Sequence, residues 1–406
     1  MELQPFSDLK VLELGQLIAG PYCAKLFADF GAEVIKIEEP GVGDEARRME
    51  PFQDDEAHLE RSGLFLYLNT NKLGVTLNLN SKTGKEIFRK LVKETDILVE
   101  NNPPALMQEW RLSYESLKEI NPSLIMTSVT PFGQSGPYRD YKTTELVSFN
   151  MGGLGFATPG MVDNPDEEPP LKGGGHMADF TAATTAAVAT LCAVFARKGS
   201  GLGEHIDVSE QEAVASFYRV PMTEYLYTQQ TRGRALSAFP GRSWAGMLPC
   251  QDGYVNLAPF QDAHWNGLIG LMGNPEWAQE ERFKDAQSRR QYAQEIRTHI
   301  EEWTKTQDKD ELAEAAQQLG FPGSPIYAVD EAINLDQLAA REFFAEIDRP
   351  ETGVMRYPGS PFKMSEGSWR LARPAPLLGQ HNEEVYCGRL GYTKQVLVKL
   401  RETGVI

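Results

Sequence analysis

Short runs of apolar and β-branched residues recur along the first half of the chain, each followed by a stretch with helical spacing. Residues 9–14 (LKVLEL) read as a strand that stops at Gly15, and 21–31 (PYCAKLFADFG) as a helix with a glycine stop at Gly31. AEVIKIEE is a second β-branched strand, and VTLNLN, a helix over 82–93 (KTGKEIFRKLVK), DILVEN and LIMTSVT continue the pattern. HIDVS at 205–209 reads as a further strand, with EQEAVASFYRVPMTEYLY as the helix after it. Strands alternating with helices predict βαβ units, hence an α/β fold with a parallel, doubly wound sheet.

One uncharged run, 180–196 (FTAATTAAVATLCAVFA), is short for a membrane span and consists mainly of Ala and Thr. It predicts a buried helix packed closely through its small residues. A polar Pro/Gly-rich loop at 160–175 leads into it. From about 225 to 330 the pattern changes to a glycine-rich turn, a GYVNLA strand and amphipathic acidic helices, the mark of a smaller inserted domain. The expected organisation is a large domain over 1–220, a small α/β domain over 225–330, and 331–406 as linker and return to the large domain.

Composition narrows the function. With 41% hydrophobic residues in 406, the chain can bury a sizeable core. Its net charge of −17 argues against nucleic acid and anionic membranes as partners. A polyanionic ligand would need a locally basic or backbone-lined pocket. Cys23, Cys192, Cys250 and Cys387 form no C-x-x-C pair, and the histidines form no H-x-x-H cluster, so neither a disulfide framework nor a metal site is expected. The opening MELQPFSDLK lacks a basic and an apolar signal region, from which a cytoplasmic location is expected.

Two segments carry candidate chemistry. GQLIAGP (15–21) joins a strand to a helix, where backbone N–H groups can hold a phosphate. Glu38 ends the next strand, where a dinucleotide fold places its ribose-binding acid, but no G-x-G-x-x-G is present to support an NAD-dependent oxidoreductase. The plainer reading is an ordinary βα turn with Pro21 at the first helical position. In the second segment Gly173, Gly174 and Gly175 precede His176-Met177-Ala178-Asp179. Asp179 reads as a helix N-cap or as a carboxylate nucleophile beside a glycine loop whose N–H groups stabilise an oxyanion. The residues alone leave both readings open.

Several stretches together resemble the class III CoA-transferases, the carnitine- and formyl-CoA-transferase family. VLELGQLIAGPYCAKLFADFGAEVIKIEEP is similar to its opening βαβ unit. NTNKLGVTLNLNSKTGKEIFRKLV, DILVENN, YESLKEINPSLIMTSVTPFGQSGPYRD, GFPGSPIYAVDEAI and PGSPFK…RPAPLLGQH continue the likeness in order along nearly the whole chain. The resemblance implies a Rossmann-like large domain built from both chain ends, a small domain, and an obligate homodimer of interlocked rings, with a heteromer of related subunits as a variant. It implies acyl-CoA and a carboxylic acid as partners, coenzyme A as co-substrate, and no permanently bound cofactor.

By the same resemblance Asp179 is the catalytic carboxylate, forming a mixed anhydride and then an aspartyl-CoA thioester. Ile18, Ala19, Leu77, Asn78, Leu79, Asn101 and Lys142 match CoA-contact positions, with 77–79 on a strand edge. Glu145 matches an acid near the active centre. Glu39 and Asn80 stand where some members use basic side chains on the CoA phosphates, Glu109 where an arginine is often found with Arg111 near enough to substitute, and Pro131 where a glycine is usual. Lys142, Asn101 and Lys72 read equally well as surface or turn residues.

Two readings compete. An α-methylacyl-CoA racemase needs a second acid/base, yet no histidine lies between Pro131 and Gly175, and His176 is too near Asp179 in sequence. A non-catalytic CoA-binding subunit of a heteromer is the other. Tyr225, Tyr227, Phe239 and Trp244 suit either a pocket for a bulky acid or core and interface positions.

Overall fold

Strand β1 (Lys10–Leu14) is covered on both faces, and that explains its nearly continuous apolar run. Val11, Val34, Ile97, Val99 and Ile125 point to one side of the sheet, and Leu12, Ile35, Leu98 and Met126 to the other. This is the period of two that strands impose. The computed structural model describes residues 4–162, 164–235, 244–259, 261–349, 351–367 and 369–406.

Beside β1 stand β2 (Glu33–Glu38), β3 (Lys72–Thr76), β4 (Ile97–Glu100), β5 (Ile125–Thr130) and β6 (His205–Ser209). They form one six-stranded sheet, ordered β3-β2-β1-β4-β5-β6, and every pairing is parallel. The order reverses between β1 and β4. In open α/β sheets, ligands bind at such a reversal, outside the carboxyl ends of the strands.

Helix α1 (Ala19–Ala28) covers one face, with Cys23, Ala24 and Phe27 in the core. Helix α2 (Lys82–Val92), capped by Ser81, covers the other through Ile87, Phe88 and Leu91. Farther along come α3 (Glu145–Met151), α4 (Met177–Ser200) and α5 (Glu210–Phe217). By length and composition α4 could cross a membrane. Its stripe of Ala182, Ala183, Ala186, Ala187 and Ala193 nevertheless packs with α1, β5 and β6, as a core helix does. Thr190 on that stripe meets Thr127 of β5 at 2.7 Å. The opposite stripe, with Val188 and Phe195, is exposed, so the helix is buried along one stripe and not all round as expected.

Three expectations shift. Helix α1 starts at Ala19, making Pro21 its third residue rather than its first. VTLNLN reads as a strand throughout, but β3 ends at Thr76, and Leu77, Asn78 and Leu79 follow in the loop beyond it. Residues 210–227 form two helices, α5 and Arg219–Thr228, broken at Tyr218. Pro221, which lacks an N–H, is accommodated in the first turn of the second helix.

The chain divides into two compact units. The first comprises Met1–Gly155, Lys172–Val220 and Arg341–Ile406. There the C-terminal segment seals the edge of β3: Gly74 N–H donates to His381 Nδ1 at 3.0 Å, Thr76 N–H to Asn382 Oδ1 at 2.8 Å, and Tyr386 Oη to the Thr76 carbonyl at 2.8 Å. An unpaired edge would otherwise expose its N–H and C=O groups. The second unit, Phe156–Leu171 and Pro221–Ala340, holds an antiparallel sheet of Gly246–Cys250, Gly253–Leu257 and Gly323–Ile326. Its own core includes Trp244, Trp265, Ile296 and Phe321.

Candidate active site

Asp179 is the third residue of α4 and does not cap it. His176 occupies the N-cap position and makes no side-chain cap. The helix start is instead served from another element, because Glu145, first residue of α3, accepts the Ala178 N–H through Oε1 at 3.1 Å. Since Glu145 satisfies one of the orphan donors, the Asp179 carboxyl is left available for other contacts. Its side chain is 16% exposed, and Oδ2 lies 3.2 Å from His176 Nδ1. The next residue, Phe180, packs edge-on against Tyr22 of α1 with ring centroids 4.8 Å apart. That contact fixes the first turn of α4 to the helix that follows the glycine turn.

The glycine segment is tied to the same place. Lys172 Nζ pairs with Glu145 Oε2 at 2.9 Å and donates to the carbonyls of Gly175 at 2.6 Å and Gly173 at 3.2 Å. Gly175 has φ +71°, which disfavours any side chain, and among the described residues nothing lies within 4 Å of where a Cβ on Gly174 or Gly175 would stand. A third acid closes the cluster: Glu210, at the head of α5, accepts from Ser148 Oγ at 2.7 Å and is 7% exposed.

Charge follows from this crowding. Burial, then Glu145, push Asp179 up to about 7, against the pull of Lys172. Burial, then Asp179, push Glu210 up to about 7, with the Ser148 hydrogen bond opposing. Low-dielectric surroundings and like charges both favour the neutral acid. The outcome is a reachable carboxyl that ionises near neutrality and is more basic than an ordinary aspartate, properties suited to a nucleophile.

Of the residues singled out from sequence, Asp179, Glu145, Gly173 and Gly175 come together here. Gly174 lies between the two bonded glycines. Lys142 is exposed on the approach to α3 and makes no polar contact among the described residues. Lys172, Ser148 and Glu210 were missed. For Glu210 the available signal was its place just past the carboxyl end of β6.

A second feature is an open cleft beyond the ends of β1, β2 and β3. Gly15, Gln16, Glu38, Leu77, Asn80 and Trp110 are among its walls, and Asn78 and Leu79 also line it. Leu77 and Leu79 are core residues, 2% and 5% exposed, and Asn78 Nδ2 donates to the Gly404 carbonyl at 3.2 Å. Ile18 and Ala19 bury their side chains. Asn101 clamps the turn, accepting the Gln16 N–H at 2.8 Å and donating to the Gln16 carbonyl at 2.9 Å.

Two buried cations near this cleft are already engaged. Arg47 binds Glu38 at 2.7 Å, and Lys36 bridges Glu13 and Asp44 at 2.7 Å each. Glu39 is exposed, and Asn80 accepts from Trp110 Nε1 at 3.0 Å. Lys72, read as a surface or turn residue, is fully buried on Glu13, the Pro21 carbonyl and Asn69.

In the second unit Asp252, Asp308 and Asp310 lie close enough to share a cation. Each already serves a local bond: to the Lys309 N–H, to the helix start at Asp310 and Glu311, and to the Tyr327 hydroxyl. Trp244 is core, stacked edge-on with Trp265 at 5.0 Å, whereas Tyr225 and Tyr227 are exposed. Phe239 lies outside the described residues.

A family model described as CoA-transferase family III matches residues 6–382. The succinyl-CoA–D-citramalate CoA-transferase of Chloroflexus aurantiacus is 33% identical over 404 residues, covering 99% of this chain and 98% of the relative. The formyl-CoA:oxalate CoA-transferase of Streptomyces coelicolor is 32% identical, with both chains covered completely. Among solved structures, a CAIB/BAIF family protein from Brucella suis superposes with a TM-score of 0.85 at 29% identity, over 96% of this chain and 100% of that one.

Proposed function

The chain belongs to CoA-transferase family III and is an enzyme that transfers CoA between an acyl-CoA and an acid; on that premise we propose that Asp179 carries the group being transferred. The observation that supports it most is the placement of this one carboxyl. It is reachable, more basic than usual, and beside an open glycine segment.

The Asp179 carboxylate attacks the donor thioester carbonyl and expels CoA thiolate, leaving a mixed anhydride. The thiolate attacks the aspartyl carbonyl, releasing the donor acid and forming an aspartyl-CoA thioester. The acceptor carboxylate attacks that thioester, giving a new anhydride and thiolate. Attack of the thiolate on the acceptor's acyl carbon yields the new acyl-CoA and restores Asp179. Every step passes through a tetrahedral oxyanion. The N–H groups of Gly174 and Gly175 make no hydrogen bond among the described residues and are suitable donors for it.

For racemisation, acid and base must face opposite sides of an α-carbon. Here His176 and Asp179 face each other at hydrogen-bond distance, which disfavours that reading. Retention of a reachable Asp179 speaks against a non-catalytic subunit. The donor and acceptor are proposed to be short acids of the kind named for the relatives, succinyl, formyl, oxalate and citramalate. A dimer is proposed from the family resemblance, supported by exposed Phe195, Phe217 and Leu226. A cytoplasmic location is supported by four free cysteines.

The decisive experiment records intact mass after incubation with each acyl-CoA, followed by peptide mapping. A CoA or acyl adduct on Asp179 that vanishes in Asp179→Ala is the expected result. Turnover without any adduct at this residue would refute the covalent route.

A further inference from the structure

Lys172 is the first residue of the chain's return into the first unit. Its ammonium has three hydrogens, and three oxygens receive them: Glu145 Oε2, the Gly173 carbonyl and the Gly175 carbonyl. Glu145 in turn holds the Ala178 N–H with its other oxygen. One side chain therefore connects the glycine segment, α3 and the first turn of α4.

We propose that Lys172 is a positioning residue for the transfer reaction, strapping the glycine segment to Glu145 and keeping a fixed positive charge beside the nucleophile. The proposal rests on the role assigned above to Asp179. Glycines gain freedom from lacking a side chain, and a loop of three costs entropy to hold in one shape. Binding two of their carbonyls to one ammonium fixes that shape before substrate arrives. Preorganised donors are what an oxyanion site requires, because donors that must reorient during reaction stabilise it less.

Charge points the same way. The titratable groups around Asp179 are His176 on its own helix, Glu145 from α3, Glu210 from α5 and Lys172 from the loop. Two of these are carboxyl groups, and Lys172 sets an ammonium among them. Removing it leaves Glu145 as an uncompensated anion facing Asp179, a like charge that opposes ionisation of the nucleophile.

The test compares Lys172→Met with Lys172→Arg, using carboxyl-carbon NMR to follow Asp179, its signal assigned by its loss in Asp179→Asn. Lys172→Met is expected to raise the Asp179 midpoint by about one pH unit and to move the acid limb of kcat/KM with it. Lys172→Arg keeps the charge, so its midpoint is expected to stay within ~0.3 of wild type while kcat falls, because a forked guanidinium cannot cap both carbonyls in the same geometry. An unmoved midpoint in folded Lys172→Met, or equal shifts in both variants, overturns the proposal. The NMR arm does not need turnover. A wild-type protein that forms no adduct would sink the covalent mechanism while leaving this measurement readable.

Discussion

Ser148 Oγ donates to Glu210 Oε2 at 2.7 Å, and through this bond a buried carboxyl is held beside Asp179, the proposed nucleophile. Burial is the main reason both acids, and Glu100 at the end of β4, are pushed up to about 7. The ordinary values are 3.8 for Asp and 4.5 for Glu. Between those values and about 7, the folded protein holds protons that the unfolded chain has released. These groups therefore make stability fall as pH rises through that window, with no further loss above it. Glu210→Gln, neutral at every pH, is expected to flatten the fall and to gain on the order of 1 kcal/mol at about pH 8 relative to about pH 5. Chemical denaturation at the two pH values reads this directly, and an unchanged difference would show that Glu210 is ionised in the native state.

The three glycines before His176 separate into distinct cases. Gly175 has φ +71°, so Gly175→Ala is expected to cost about 1 kcal/mol of stability. An added Cβ at Gly173 meets Met177 Sδ at 2.5 Å, which forces that flexible side chain aside. Among the described residues nothing stands near a Cβ on Gly174, so Gly174→Ala is expected to leave stability within ~0.5 kcal/mol of wild type. Denaturant midpoints for the three variants should rank in that order, with Gly174 least affected. Alanine keeps the backbone N–H, so a loss of kcat in Gly174→Ala would then report on the conformation and space at the proposed oxyanion donor rather than on folding.

The parallel sheet was legible because strands buried on both faces must be apolar along their length, as Val11, Leu12 and Leu14 are. The alternation in VTLNLN extended too far, since Leu77 and Leu79 are buried by the core beneath a loop and not by strand pairing. Asp179 could be picked out from the glycine run before it, yet its N-cap reading failed for a reason no local pattern carries. The orphan donor of α4 is taken by Glu145, thirty-three residues away. Lys172 was hidden for the same cause, because its meaning lies in contacts with a segment distant in sequence.

Asn101 grips Gln16 by both backbone groups, and its Oδ1 also stands 3.0 Å from where a Cβ on Gly20 would lie and 3.2 Å from one on Gly15. The glycine turn is thus built around this amide. Asn101→Ala deletes two hydrogen bonds, each contributing ~1 kcal/mol, and frees a wall of the cleft. Calorimetric titration with CoA alone should show a roughly tenfold weaker Kd. Unchanged affinity would mean that the cleft near Gln16 takes no part in holding CoA.

The same turn is held from below by charge. Lys36 Nζ donates to the Gly15 carbonyl at 3.0 Å and pairs with Asp44, while Asp44 Oδ1 accepts the N–H of Leu17, whose φ is +60°. All of Lys36 and Asp44 is buried. Burial alone would lower the Lys36 pKa, but Asp44 and Glu13 outweigh it and hold the ammonium charged. A buried pair adds little net stability over an apolar replacement, yet breaking one partner leaves the other charge uncompensated. Lys36→Met is therefore expected to destabilise the protein by about 3 kcal/mol. Adding Asp44→Asn removes the stranded charge while keeping an acceptor for Leu17, so the double variant should recover part of the loss. Denaturation of wild type, Lys36→Met and the double variant decides the matter. A double variant weaker than the single one would show that Asp44 matters here for its charge and not for its grip on the turn.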